Sequence, residues 1–277
     1  MLLRPILLAG ALLAGCTGDE APPPPPSQPE VAPPKPAEPT LNPADLGNAD
    51  SDGLVPSPKE MQEVLTRAGL ASRLETMVQD RDIKMDVENQ DQIAVRVGVV
   101  LADLVLTLKT APKERTVARL GALQQGLAKL GAGPDIDQTI NGLKDGINSG
   151  ALTGDKLVHD IDELSLVMVP ELNFEGKDWV VPLIQAGSWL EGAHLVSGAM
   201  KAEAKLGAAD QLLKQPQVVD FFIKYVDQVG TQKAPDDVVK KLKETLSTLK
   251  EVAAKPTLGQ AEVDTIHSST GAVLSML

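Results

Sequence analysis

The chain lacks most of what covalent chemistry needs. It has one cysteine, Cys16, in 277 residues, so no disulfide joins one part of the chain to another and stability must come from a packed core. Six residues are aromatic (Phe174, Trp179, Trp189, Phe221, Phe222 and Tyr225), so that core has to be built of Leu, Val, Ile, Met and Ala. Positive charge is scarce: 26 Lys and Arg stand against 38 Asp and Glu, a net charge of −12. This excludes the basic face of a nucleic-acid binder and gives no extra adhesion to anionic lipid. No apolar run approaches the roughly 20 residues that a membrane-spanning helix requires. No phosphate loop or dinucleotide fingerprint occurs. Ser165, Ser188 and Ser197 lack the glycine pattern of a nucleophile elbow. Paired carboxylates are frequent, but an acidic surface supplies them without any glycosidase chemistry.

The most specific signal that is present lies at the start. Arg4 precedes the apolar run Ile6-Leu7-Leu8-Ala9-Gly10-Ala11-Leu12-Leu13, and small residues follow, which is the pattern of a secretory signal. Leu13-Ala14-Gly15-Cys16 resembles the lipobox of bacterial lipoproteins. The resemblance implies cleavage between Gly15 and Cys16, acylation of the Cys16 sulfur and acylation of the new amino group. The covalent lipid would be the only non-protein group, and no other cofactor is expected. One acyl chain holds weakly, at about 0.8 kcal/mol per buried CH2, whereas two or three anchor firmly. An aspartate after the cysteine often marks inner-membrane retention in that family. Thr17 stands there, which points to the outer membrane. Loss of Arg4 with the leader takes the net charge from −12 to −13.

Residues 16–56 read as the lipidated cysteine and a disordered linker. Eleven prolines fall between Ala21 and Pro43, five of them consecutive at Pro22 to Pro26. Such a segment favours extended polyproline II and would reach on the order of 120 Å at ~3.1 Å per residue. Asn48-Ala49-Asp50-Ser51-Asp52-Gly53 is similar to part of a calcium loop but lacks the acidic residue at the loop's last position, so it belongs to the linker.

Residues 57–277 read as one all-α domain, an antiparallel bundle of about eight or nine helices. Ser57-Pro58-Lys59-Glu60 has the form of a capping box with proline in the first turn, and Gly69 marks a break after Met61, Val64, Leu65 and Ala68. Ile93 to Leu108 is apolar on nearly every side, interrupted by Arg96 and Asp103, and predicts a central helix; its β-branched content leaves a strand as the alternative. Helices are expected over Lys113 to Leu130, around Ile136 to Ile147, around Leu157 to Met168, over Asp178 to Met200, over Gln217 to Val229, over Asp236 to Ala254 and over Gln260 to Leu277. Lys201 to Lys214 either continues or restarts the long helix. Gly187, Gly192 and Gly198 weaken that helix while allowing a neighbour to come close.

Three short stretches carry a second resemblance: Val55-Pro56-Ser57-Pro58-Lys59-Glu60, Leu101-Ala102-Asp103-Leu104 and Gly187-Ser188-Trp189-Leu190-Glu191-Gly192. In this order they resemble a group of uncharacterised helical lipoproteins of Bacteroidetes-like bacteria. The resemblance would span most of residues 55–277. It implies a helical fold and no known activity.

Three readings compete for the polar residues of the apolar helices. Glu191-Gly192-Ala193-His194 is a Glu-x-x-His step, as in di-iron bundles, and Asp264-Thr265-Ile266-His267 is a degenerate second step. Glu191, His194, Asp264 and His267 would then be metal ligands, with Asp103 and either Asp160 or Glu163 as single carboxylates. The lipoprotein group carries no histidine in this step, which counts against a metal. The preferred reading is a buried polar network, because a carboxylate on an apolar helix must find donors or become neutral. Arg96 lies seven residues before Asp103, and the Trp189 indole could donate to a carboxylate. A third reading makes Asp103, Trp189, Glu191 and His194 the lining of a ligand cleft. His159-Asp160 reads as a solvated helix face. The expectation is therefore a non-enzymatic module, anchored in the outer membrane through Cys16 and facing the periplasm, with an envelope protein as partner and no metal. Oligomeric state is open.

Overall fold

The computed structural model describes residues 58–78, 83–169, 180–233 and 236–277, all within one compact unit that spans Leu41–Leu277. The leader, Cys16, the proline-rich linker, Asn48 to Gly53, the Ser57 cap, and the stretch from Leu172 through Phe174 to Trp179 lie outside the described residues.

The domain is an all-α bundle. The helices are α1 (Pro58–Ala68), α2 (Ala71–Met77), α3 (Gln90–Thr107), α4 (Lys113–Leu130), α5 (Pro134–Ser149), α6 (Gly154–Glu163), α7 (Val180–Glu203), α8 (Ala209–Leu213), α9 (Pro216–Lys233), α10 (Asp236–Ala253) and α11 (Gln260–Leu274). A single π-helical stretch, Leu164–Met168, extends α6. Nine of these α-helices have ten residues or more; α2 and α8 are the short exceptions. Consecutive helices α3/α4, α4/α5, α9/α10 and α10/α11 pack on each other across short connections, the up-and-down arrangement expected of a bundle.

Local chemistry sets the ends. Asn89 caps α3, its side chain accepting from the amides of Asp91 (2.9 Å) and Gln92 (3.2 Å). Gly131 and Gly150 end α4 and α5 in the left-handed region, at φ 98° and 75°, where a side chain would be strained. Pro134 opens α5, where its missing amide hydrogen costs nothing. Glu262 accepts from the Gly259 amide (3.0 Å) and fixes the start of α11.

Ile93 to Leu108 is helical, not a strand. Fourteen of the eighteen residues of α3 are buried, so its β-branched content is decided by packing on all sides rather than by intrinsic preference. Its partner is α7, equally apolar, and the two make the most extensive contact in the domain. They meet backbone to backbone. A Cβ at Gly98 would fall on the Ile184 carbonyl, and one at Gly187 on the Val95 carbonyl.

Around this pair the core falls into two clusters. One joins α3 with α4, α5, α6 and the start of α7; the other joins the rest of α7, and Ala102 and Leu106 of α3, with α1, α2, α8, α9, α10 and α11. Phe221 and Tyr225 of α9 touch both. After Glu203 the chain restarts rather than continues: Ala204 takes φ 53°, the Lys205 amide reaches back to the Met200 carbonyl (3.0 Å), and α8 supplies one short turn of helix.

Candidate functional site

Asp103 on α3 and Trp189 and Glu191 on α7 are drawn into the interior, at 5%, 6% and 1% exposure. None of the three is displayed to solvent. Their expected partners are different ones. Arg96 does not serve Asp103: its guanidinium donates to the main-chain oxygens of Lys84 and Leu277, and Gln92 also donates to Leu277 (3.1 Å). Burial holds the Arg96 guanidinium below its ordinary value. The Trp189 indole hydrogen does not reach a carboxylate; its Nε1 is buried and meets no acceptor among the described residues. The direction of the indole is set by a rotamer that helical spacing does not fix.

The four metal-ligand candidates separate into two kinds. His194 and His267 are brought together, with ring centroids 4.3 Å apart and planes 6° from parallel. Asp264 turns instead to Lys201, at 3.1 Å, and accepts from Gln260 (3.1 Å). The Lys201 hydrogen bond is the main reason the Asp264 carboxyl lies below the usual range, with smaller help from Gln260 and from the His267 charge. Glu191 stays buried in α7. Among the described residues, no group of three or more His, Cys, Asp or Glu is placed to hold a metal ion. His159 and Glu163 are exposed on α6 and Asp160 is half-buried.

The histidine pair has a geometry that pairwise spacing did not suggest. His194 Nδ1 lies 3.0 Å from the His267 carbonyl, and His267 Nδ1 lies 3.0 Å from the His194 carbonyl. Carbonyl oxygens only accept, so both Nδ1 atoms carry hydrogen. The surroundings repeat as well. Ser197 donates to the carbonyls of Ala193 and His194, and Thr270 to those of Ile266 and His267. A Cβ at Gly198 would lie 2.9 Å from His267 Cε1, and one at Gly271 would lie 2.8 Å from His194 Cε1. Each ring thus sits over the glycine of the facing helix. The sequence signal is a recurrence, His194-x-x-Ser197-Gly198 and His267-x-x-Thr270-Gly271, in which the glycine matters as much as the histidine.

Two further polar links tie the core. At the end of α3, Gln62 donates to the Val105 carbonyl and Arg119 to the Thr107 hydroxyl. Glu75 of α2 receives both Arg119 (3.3 Å) and Arg115 (2.8 Å). At the start of α3, the Tyr225 hydroxyl donates to buried Asp91 at 2.6 Å. Burial first, then the hydrogen bond and charge of Asp91, push the phenol well above its ordinary value.

No family model matches the chain, and neither does any curated protein or solved structure.

Proposed function

We infer that the protein is a lipid-anchored envelope protein of the bacterial outer membrane, whose helical domain faces the periplasm and acts by holding a partner. The observation that carries the reading is Leu13-Ala14-Gly15-Cys16, with the chain's only cysteine in the acceptor position and a proline-rich spacer behind it. The first described helix begins at Pro58, and the eleven prolines between Ala21 and Pro43 suit a tether behind the anchor. Binding is favoured over catalysis because several of the domain's titratable groups are committed to structural partners. Glu75 serves two arginines, Asp264 serves Lys201, and the two half-buried histidines serve main-chain carbonyls. Leu166 is the exposed large hydrophobic among the described residues, so recognition through polar and charged side chains fits the −12 chain better than an apolar groove.

The test is Cys16→Ser in the native envelope. It should release the protein from the membrane fraction, leave the leader uncut and remove the mass of the acyl chains. Unchanged fractionation together with unchanged mass would refute the anchor. Crosslinking and pulldown of the lipidated wild type then identifies the partner.

A further inference from the structure

We propose that the stacked pair His194–His267 is a pH-sensitive clasp between α7 and α11: it holds while the pair carries at most one extra proton and opens when both rings are charged. The proposal rests on the contact itself. Two imidazole rings lie face to face at 4.3 Å, and each uses its Nδ1 hydrogen to bind the other helix's main chain at 3.0 Å. In a neutral ring of this tautomer, Nε2 is the nitrogen left to take a proton. The first proton disturbs little: Nδ1 keeps its hydrogen, and a cation donates more strongly to a carbonyl than a neutral ring does. The second proton places two like charges in direct stacking contact, where neither ring can withdraw without breaking its own hydrogen bond.

Most of the surrounding charges are paired with one another. On α11, Asp264 lies one turn before His267 and is shared with Lys201, a cation on α7. Glu191 lies one turn before His194 on α7 and is buried. From α2 the group that approaches is the Met77 methyl, 2.5 Å from where a Gly198 Cβ would lie. The charges of α2 are engaged elsewhere: Arg73 with Glu203 at 3.6 Å, and Glu75 with Arg115 and Arg119. Of the two buried carboxyls of α3, Asp91 is bound by Tyr225 and Asp103 lies further along the helix. Asp210 of α8 accepts from the Leu258 amide. On the α10 side, Lys250 pairs with Asp220 of α9 and Lys255 with Glu262.

The sign follows. The closed clasp binds one proton fewer than the open one, so closure is lost as pH falls, and the opening constant rises about tenfold per pH unit below the onset. The experiment is hydrogen exchange of the α11 amides in the full chain between about pH 7 and pH 5, corrected for intrinsic exchange, across the range where histidine titrates. The wild type should show the acid-driven opening. His194→Asn and His267→Asn each keep a donor near the Nδ1 position but leave only one ring to charge, so both should lose it. The same pH dependence in either variant as in the wild type would overturn the proposal. Should both variants fail to fold, nitrogen NMR of the wild-type rings decides. Two separated titration steps, with α11 exchange rising at the second, support the clasp. A single step in which both rings charge while α11 stays protected refutes it.

Discussion

Alanine at Gly98 or Gly187 should be among the most damaging conservative changes in this domain, although alanine is the better helix former. At Gly98 the new methyl would fall on the Ile184 carbonyl and lie 2.7 Å from the Ser188 nitrogen; at Gly187 it would fall on the Val95 carbonyl and lie 3.0 Å from the Val95 Cα. All of these obstacles are backbone, so no rotamer change relieves them, and α3 and α7 must separate along the largest helix contact of the core. Overpacking of this kind costs at least about 3 kcal/mol, the upper end of the usual range, while the gain in helix propensity returns about 1 kcal/mol, for a net loss near 2 kcal/mol. Gly121 in α4 and Gly142 in α5 are the controls. Both are inside helices and nothing lies within 4 Å of the added methyl, so each alanine there should stabilise by about 0.5–1 kcal/mol. The two sets should differ by about 3 kcal/mol, roughly 6–12 °C in Tm for a domain of this size. Urea unfolding followed by circular dichroism, compared at equal m-value, reads the difference. Equal unfolding midpoints for Gly98→Ala, Gly187→Ala and the controls would refute the backbone clash.

Two other links give independent tests. Tyr225 is the only tyrosine in the chain, so ultraviolet absorbance reports its ionisation alone. Its folded phenol lies above the ordinary value near 10, so its contribution to stability is complete below pH 10 and is lost as pH rises beyond that. Tyrosinate should therefore appear only with unfolding, and ionisation near pH 10 in a still-folded chain would contradict the Asp91 contact. At the other end of α3, Glu75→Ala should cost about 1–3 kcal/mol because it strands Arg119, which is only 12% exposed beside Thr107. Arg115→Ala, at a side chain 38% exposed, should cost no more than about 1 kcal/mol. Chemical denaturation orders the two, and an equal or larger loss at Arg115 would contradict this account.

What the sequence made legible was whatever is decided locally or by burial pattern. The start of α1 near Pro58, the glycine stops of α4 and α5, and the all-round apolarity that makes α3 central were open to reading because caps, φ angles and helical spacing act over a few residues. The π-helical turn after Glu163 was not, since an extra residue per turn leaves no mark in a 3.6-residue pattern. The end of α7 at Glu203 was left open between two alternatives for a similar reason: Ala204 in the left-handed region has no glycine to announce it. The candidate site divides in the same way. That Asp103 and Glu191 would be buried followed from their apolar neighbours. Which atoms meet did not. The Glu-x-x-His spacing that suits a metal ligand also suits a histidine turned toward the next helix, and only the position of α11 distinguishes them.

The glycines of α7 show how one helix organises two interfaces. Gly187 admits the Val95 carbonyl of α3, and Gly198 admits the His267 ring of α11. They are eleven residues apart, about three full turns, so they lie on nearly the same face of α7, roughly 16 Å apart along its axis. One face therefore receives two different helices at two heights, which is possible only because α7 runs for 24 residues. Each glycine weakens an isolated helix by about 1 kcal/mol, so α7 is a poor helix on its own and owes its form to the neighbours it admits. The crossing with α3 is closed by backbone and does not respond to pH. The crossing with α11 is closed by two titratable rings. Loosening of the bundle in acid should therefore begin at the Gly198 end of α7 and leave the Gly187 end closed, a difference that amide exchange resolves within this single helix.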